Sequence, residues 1–163
     1  MPGGKIVFYT GILDKLKLTD DEVGVVMGHE VAHALREHAR AQMAKSGLTN
    51  VSASVFAAVV GGPAGEIAKQ GAGLLTLKYS RDDETDADLV GLELAARAGF
   101  DPRAGITLWR KMSAASKGAP MEWMSTHPAG STRIATIQRN LPAVMPLYEA
   151  AKGRMKTARS ASN

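Results

Sequence analysis

The chain has 163 residues, of which 45% are hydrophobic and 22% charged, and a formal net charge of +4. This balance excludes wholesale disorder and suits one domain with its own core, built mostly from Ala, Val, Leu, Ile and Met because aromatics make up only 5%. There is no cysteine, which excludes disulfides, a thiolate nucleophile, a Cys-ligated zinc site and an iron–sulfur cluster; a metal would have to be held by His, Asp or Glu.

Met1-Pro2-Gly3-Gly4 reads as a turn, and the β-branched and aromatic run Lys5 to Tyr9 as a strand that needs a partner. Thr19-Asp20-Asp21-Glu22 fits a capping box, and Val23, Val26, Met27, Val31, Ala34 and Leu35 follow at helical spacing. The pattern predicts a helix over about Asp20 to Lys45, closed by Gly47. Val51 to Val60 is a weaker helical stretch. Ser46 to Gly65 carries no charge, but its Gly, Ser, Thr, Asn and Pro63 argue against a membrane span. Gly61 to Gly73 reads as a mobile loop, a candidate lid. Further helices are predicted from Arg81 to Ala98, capped by Gly99, and from Pro102 onward with Ile106, Leu108, Trp109 and Met112. Ser116 to Pro128 reads as a loop, and a last helix as running from Ser131 to just before Pro142. Residues 1–150 are thus expected to form the domain and 151–163 a disordered basic tail. Lys152, Arg154, Lys156 and Arg159 there equal the whole charge excess. No aromatic interleaves with them, so they read as solvated and not as a nucleic-acid patch.

His29-Glu30-Val31-Ala32-His33 is an H-E-x-x-H motif inside the capped helix. Side chains four apart share one helix face, so both imidazoles can reach one metal ion, with Glu30 beside that face as a base for the attacking water. Chance occurrence in a chain of this composition is roughly 0.5%. Zinc needs a third protein ligand. A metzincin spacing fails, because Arg36 and Ala39 stand where Gly and His would be. A thermolysin-like spacing fails too: no acid lies between Glu37 and Glu66. His38 falls five residues after His33, off the metal face, and is expected to be exposed. The segment Ser80 to Asp88 is acidic. Asp82 and Asp83 read as acids favouring the helix dipole. Glu84 and Asp88, four apart, read either the same way or as a metal ligand and a hydrogen-bond acceptor for a ligand imidazole.

The H-E-x-x-H motif, then Ser80-Arg81 with Glu84, Ala87 and Asp88, then Ser125-Thr126-His127-Pro128, resembles the zinc metallopeptidase family that includes HtpX, Oma1 and the CAAX prenyl proteases. The BepA- and LoiP-like periplasmic branch is the most similar, through Pro2 to Gly11 and Ala98 to Pro102 as well; the likeness covers most of residues 2–140. It implies a predominantly helical α+β, gluzincin-like catalytic domain with a small edge sheet. It implies one zinc per chain held by His29, His33 and Glu84, Glu30 as general base, and Asp88 holding a ligand imidazole. His127 would lie near the metal as an oxyanion helper or as a blocking ligand in a latent state, and Arg133 would brace that region. The implied reaction is hydrolysis of peptide bonds in misfolded or envelope proteins, in the periplasm or peripherally at a membrane. The alternative is a latent, zinc-bound, chaperone-like domain. The family's usual upstream anchor, helix and strand are absent before Pro2.

Overall fold

Six helices carry nearly all the residues that the computed structural model describes, which are 6, 8, 10–60, 62–63, 79–115, 127 and 131–161. They are α1 (Thr10–Leu16), α2 (Asp20–Leu35), α3 (His38–Val60), α4 (Arg81–Arg97), α5 (Ala104–Ala115) and α6 (Ser131–Ala161). The capping box at Thr19 forms as expected: the Thr19 hydroxyl accepts from the Glu22 amide, and Glu22 accepts from the Thr19 amide at 2.8 Å. An equivalent box starts α4, where Ser80 and Asp83 exchange the same bonds. Asp83 is therefore a capping acid. α4 ends in a Schellman turn. Gly99 has φ +87°, its amide donates to the Ala96 carbonyl, and the Phe100 amide donates to that of Ala95.

Ile12, Val25, Val26, Leu92, Leu108, Trp109, Met112, Ile137 and Val144 form one core cluster, which joins α1, α2, α4, α5 and α6. α2 and α4 cross at two glycines. A methyl group on Gly28 would stand 2.3 Å from the Gly91 carbonyl oxygen, and one on Gly91 would stand 2.6 Å from the His29 amide nitrogen. Only hydrogen fits at both positions, and this approach brings the H-E-x-x-H helix against the acidic start of α4.

Several expectations change. The helix predicted over Asp20 to Lys45 is two helices. Glu37 sits at φ +53° and turns the chain between α2 and α3. α3 then runs through Gly47 to Val60, merging with the stretch predicted from Val51. Gly47 does not stop the helix; the left-handed residue is Glu37, a type that rarely adopts that conformation. The last helix does not end before Pro142. It continues through Pro142 and Pro146 to Ala161, because Ile134, Ile137, Leu141, Val144, Tyr148 and Ala151 recur at helical spacing and pack inward. Residues 151–161, expected to be without order, are helical, with Lys152, Arg154, Lys156 and Arg159 exposed.

Among the described residues there is no strand, so the edge sheet is not seen. Lys5 to Tyr9 lies outside them apart from Ile6 and Phe8, and Phe8 packs against the core. The proposed lid, Gly61 to Gly73, and the loop Ser116 to Pro128 lie outside them too, save residues 62, 63 and 127. No helix among the described residues is long and apolar enough to cross a membrane.

Candidate metal centre

One donor atom from each of His29, His33, Glu84 and His127 lies within 4.8 Å of the other three, and all four residues are buried. α2 supplies the imidazoles from consecutive turns of one face, and α4 supplies Glu84 from its first turn. His29 Nε2 is 3.1 Å from His33 Nε2 and 3.7 Å from Glu84 Oε2. His33 Nε2 is 3.2 Å from Glu84 Oε1. Ligand atoms around one tetrahedral zinc stand about 3.3 Å apart, given metal–ligand bonds of about 2.05 Å. The observed spacings bracket that value.

The donor chemistry fits a cation as well. Glu84 Oε1 is buried and receives no hydrogen bond among the described residues. His29 Nδ1 donates to Asp88 Oδ1 at 3.1 Å, which leaves the Nε2 lone pair turned toward His33 and Glu84. Burial first, then His29, His38 and Arg133, push the His33 imidazole down to about 2, so it is neutral at physiological pH. The two imidazoles and the carboxylate thus face one another as ligands would around one ion. Glu84 and Asp88 bring two buried negative charges against one from Arg133, and a divalent ion would reverse the remainder.

Arg133, from the first turn of α6, organises the acids from behind. Its Nε and Nη2 donate to Asp88 Oδ2 and Oδ1 at 2.6 Å each, and its Nη1 donates to Glu84 Oε2. Its guanidinium also lies 3.5 Å above the Trp109 ring. Burial raises the Asp88 carboxyl, but hydrogen bonds from His29 and Arg133 outweigh it and hold the group below the usual carboxylate range.

Every residue singled out from sequence thus falls in one neighbourhood. Glu30 borders the cluster, with its Oε1 3.6 Å from His127 Nε2. His38 corrects an expectation. It is 8% exposed, and its Nδ1 is 2.9 Å from His33 Nδ1. Tyr79 escaped the sequence reading altogether. Its ring stacks on His33 at 4.1 Å, and burial, with Glu30, Glu84 and Asp83 nearby, pushes its phenol above the usual range. Tyr79 precedes the Ser80 cap directly, but no spacing rule marks such a residue.

Paired imidazoles on one helix, facing a carboxylate from the next, define a metal-binding domain of the H-E-x-x-H class. Residues 1–141 match peptidase family M48, and the chain belongs to that family of zinc metallopeptidases. Mitochondrial metalloendopeptidase OMA1 of Schizosaccharomyces pombe is 38% identical over 147 residues, covering 87% of this chain and 42% of that protein. OMA1 of Saccharomyces cerevisiae is 33% identical over 156 residues, covering 91% and 44%. Metalloprotease LoiP of Escherichia coli is 29% identical over 148 residues, covering 88% and 58%. The chain therefore spans only about two-fifths to three-fifths of these curated relatives. No solved structure matches it.

Proposed function

We propose that residues 1–150 are the catalytic domain of a zinc-dependent endopeptidase. His29, His33 and Glu84 hold the metal, and the observation that carries this reading is the 3.1–3.7 Å convergence of their donor atoms. Zinc held there would polarise a scissile carbonyl and lower the pKa of a water bound to it to about 7. Glu30 takes the proton of the attacking water and delivers it to the leaving amine. Asp88 and Arg133 keep His29 and Glu84 in place. Unfolded polypeptide is the substrate class, and the setting is protein quality control in the periplasm or at a membrane surface. The name of one E. coli relative, the beta-barrel assembly-enhancing protease, supports that setting.

The test is metal analysis with casein cleavage, comparing wild type and Glu30→Gln. Zinc retained at one per chain with cleavage reduced by about 10²-fold or more supports the roles assigned. Equal cleavage by both proteins removes Glu30 from the mechanism, and a wild type that binds no zinc removes the reading.

A second reading, a latent zinc-bound domain that holds polypeptide without cutting it, is favoured by His127, whose donor atom joins the other three. His127→Ala separates the two. Raised casein turnover marks His127 as a blocking ligand, and lowered turnover marks it as an oxyanion helper.

A further inference from the structure

In an unbroken helix the residue five positions after His33 would be turned about 140° away from it and displaced by about 7.5 Å along the axis. His38 instead returns to His33. The left-handed Glu37 ends α2, and the first residue of α3 swings back with its imidazole buried against the far side of the His33 ring. The two Nδ1 atoms are 2.9 Å apart, so one of them must carry the proton. A His33 that binds metal through Nε2 must carry its proton on Nδ1, which makes His38 Nδ1 the acceptor. The Nε2 of His38 points at two carboxylates, Asp86 Oδ2 at 3.4 Å and Asp83 Oδ1 at 3.9 Å. The remaining His38 proton, on Nε2, then faces those acids. His33 then donates from Nδ1 and keeps its Nε2 lone pair directed at Glu84 and His29. Asp86 is itself held, because Arg36 Nε lies 2.9 Å from Asp86 Oδ2.

We propose that His38 is a positioning residue for the metal centre: it accepts the Nδ1 proton of His33 and so fixes that ligand in the tautomer able to bind zinc. His33 is stacked under Tyr79 and is 2% exposed, so water has little room to replace the missing acceptor. The inference rests on His33 being a zinc ligand. It extends that reading to a residue with no place in the H-E-x-x-H motif. The two ligand imidazoles would then have acceptors of different kinds, a carboxylate behind His29 and an imidazole behind His33.

The test compares wild type, His38→Leu and His38→Asn. The Asn oxygen stands near the position of the lost Nδ1 and accepts a proton, and Leu fills the space without accepting one. Zinc affinity is read by competition with a chromophoric chelator, and melting of the zinc-free protein is read alongside. The expected result is zinc affinity about tenfold or more weaker in His38→Leu and near wild type in His38→Asn, with the two zinc-free variants melting together. Wild-type affinity in His38→Leu overturns the proposal, as does equal loss in both variants. If His38→Leu fails to fold, the Asn variant decides alone: affinity retained supports the proposal and affinity lost overturns it. A wild type without zinc overturns this inference together with the reading beneath it, whereas a zinc-loaded His38→Leu overturns this inference only.

Discussion

Arg133 holds Asp88 by both carboxylate oxygens, at 2.6 Å each, across a separation of 45 residues. The pair is buried, and Asp88 passes the constraint on to His29. Removing the guanidinium leaves two carboxylates facing each other without a counter-charge. Arg133→Ala should destabilise the protein by about 3–5 kcal/mol, read by urea unfolding. Arg133→Lys should recover only part of that, because one ammonium cannot span two oxygens and Glu84 at once. Full recovery by Lys would mean that charge matters there and shape does not.

The glycine crossing gives a second prediction with an internal control. Gly91→Ala places a methyl group 2.6–2.7 Å from backbone atoms of Gly28 and His29, which cannot rotate away. It should cost about 1–3 kcal/mol or more and weaken zinc binding by shifting His29. Gly153→Ala, in α6 with nothing within 4 Å, should stabilise by up to about 1 kcal/mol. Calorimetry of both variants checks the contrast.

Acid should unfold the zinc-free protein earlier than its carboxylates alone would require. His33 has an ordinary value near 6.5 when unfolded and is pushed down to about 2 when folded, by burial first and then by His29, His38 and Arg133 beside it. Between those values the unfolded chain binds the extra proton. The contribution of His33 to stability is complete above pH 6.5 and declines as pH falls, at up to about 1.4 kcal/mol per unit. Asp88, also lowered, adds its own loss in the same direction at more acidic pH. Urea unfolding at intervals from pH 7 to 4.5 checks the His33 slope, which should vanish in His33→Gln.

α6 tolerates two prolines at a measurable cost. Pro142 is exposed and has no amide proton for the carbonyl one turn earlier. Pro142→Ala should therefore raise stability by about 1–3 kcal/mol without altering zinc content. An unchanged melting temperature would show that the helix has relaxed around the ring.

Much of this centre could be read from sequence because its parts are local. His29 and His33 are one turn apart, and Glu84 and Asp88 are one turn apart. The capping box at Thr19 marks the start of one helix, and the acids after Ser80 mark the start of the other. What joins the two pairs was legible only through resemblance, since nothing in a single sequence says that Gly28 meets Gly91. His38 was misread for a related reason. Helical periodicity holds only while the helix lasts, and the break falls on Glu37, whose residue type gives no warning. Pro142 misled in the opposite direction: a strong local breaker was outweighed by apolar residues that packing holds in register.

The far end of α6 also returns to α4. A methyl group on Gly99 would strike the Met155 side chain at 2.5 Å, while Arg133 grips Glu84 and Asp88 at the near end. The two helices run side by side in the same direction, fastened at both extremities, like a rod pinned to a plate. A single residue inserted between Ile137 and Ala151 would rotate one fastening by about 100° relative to the other, so both could not be seated. The length of this helix is thereby coupled to the seating of Arg133 on Glu84 and Asp88.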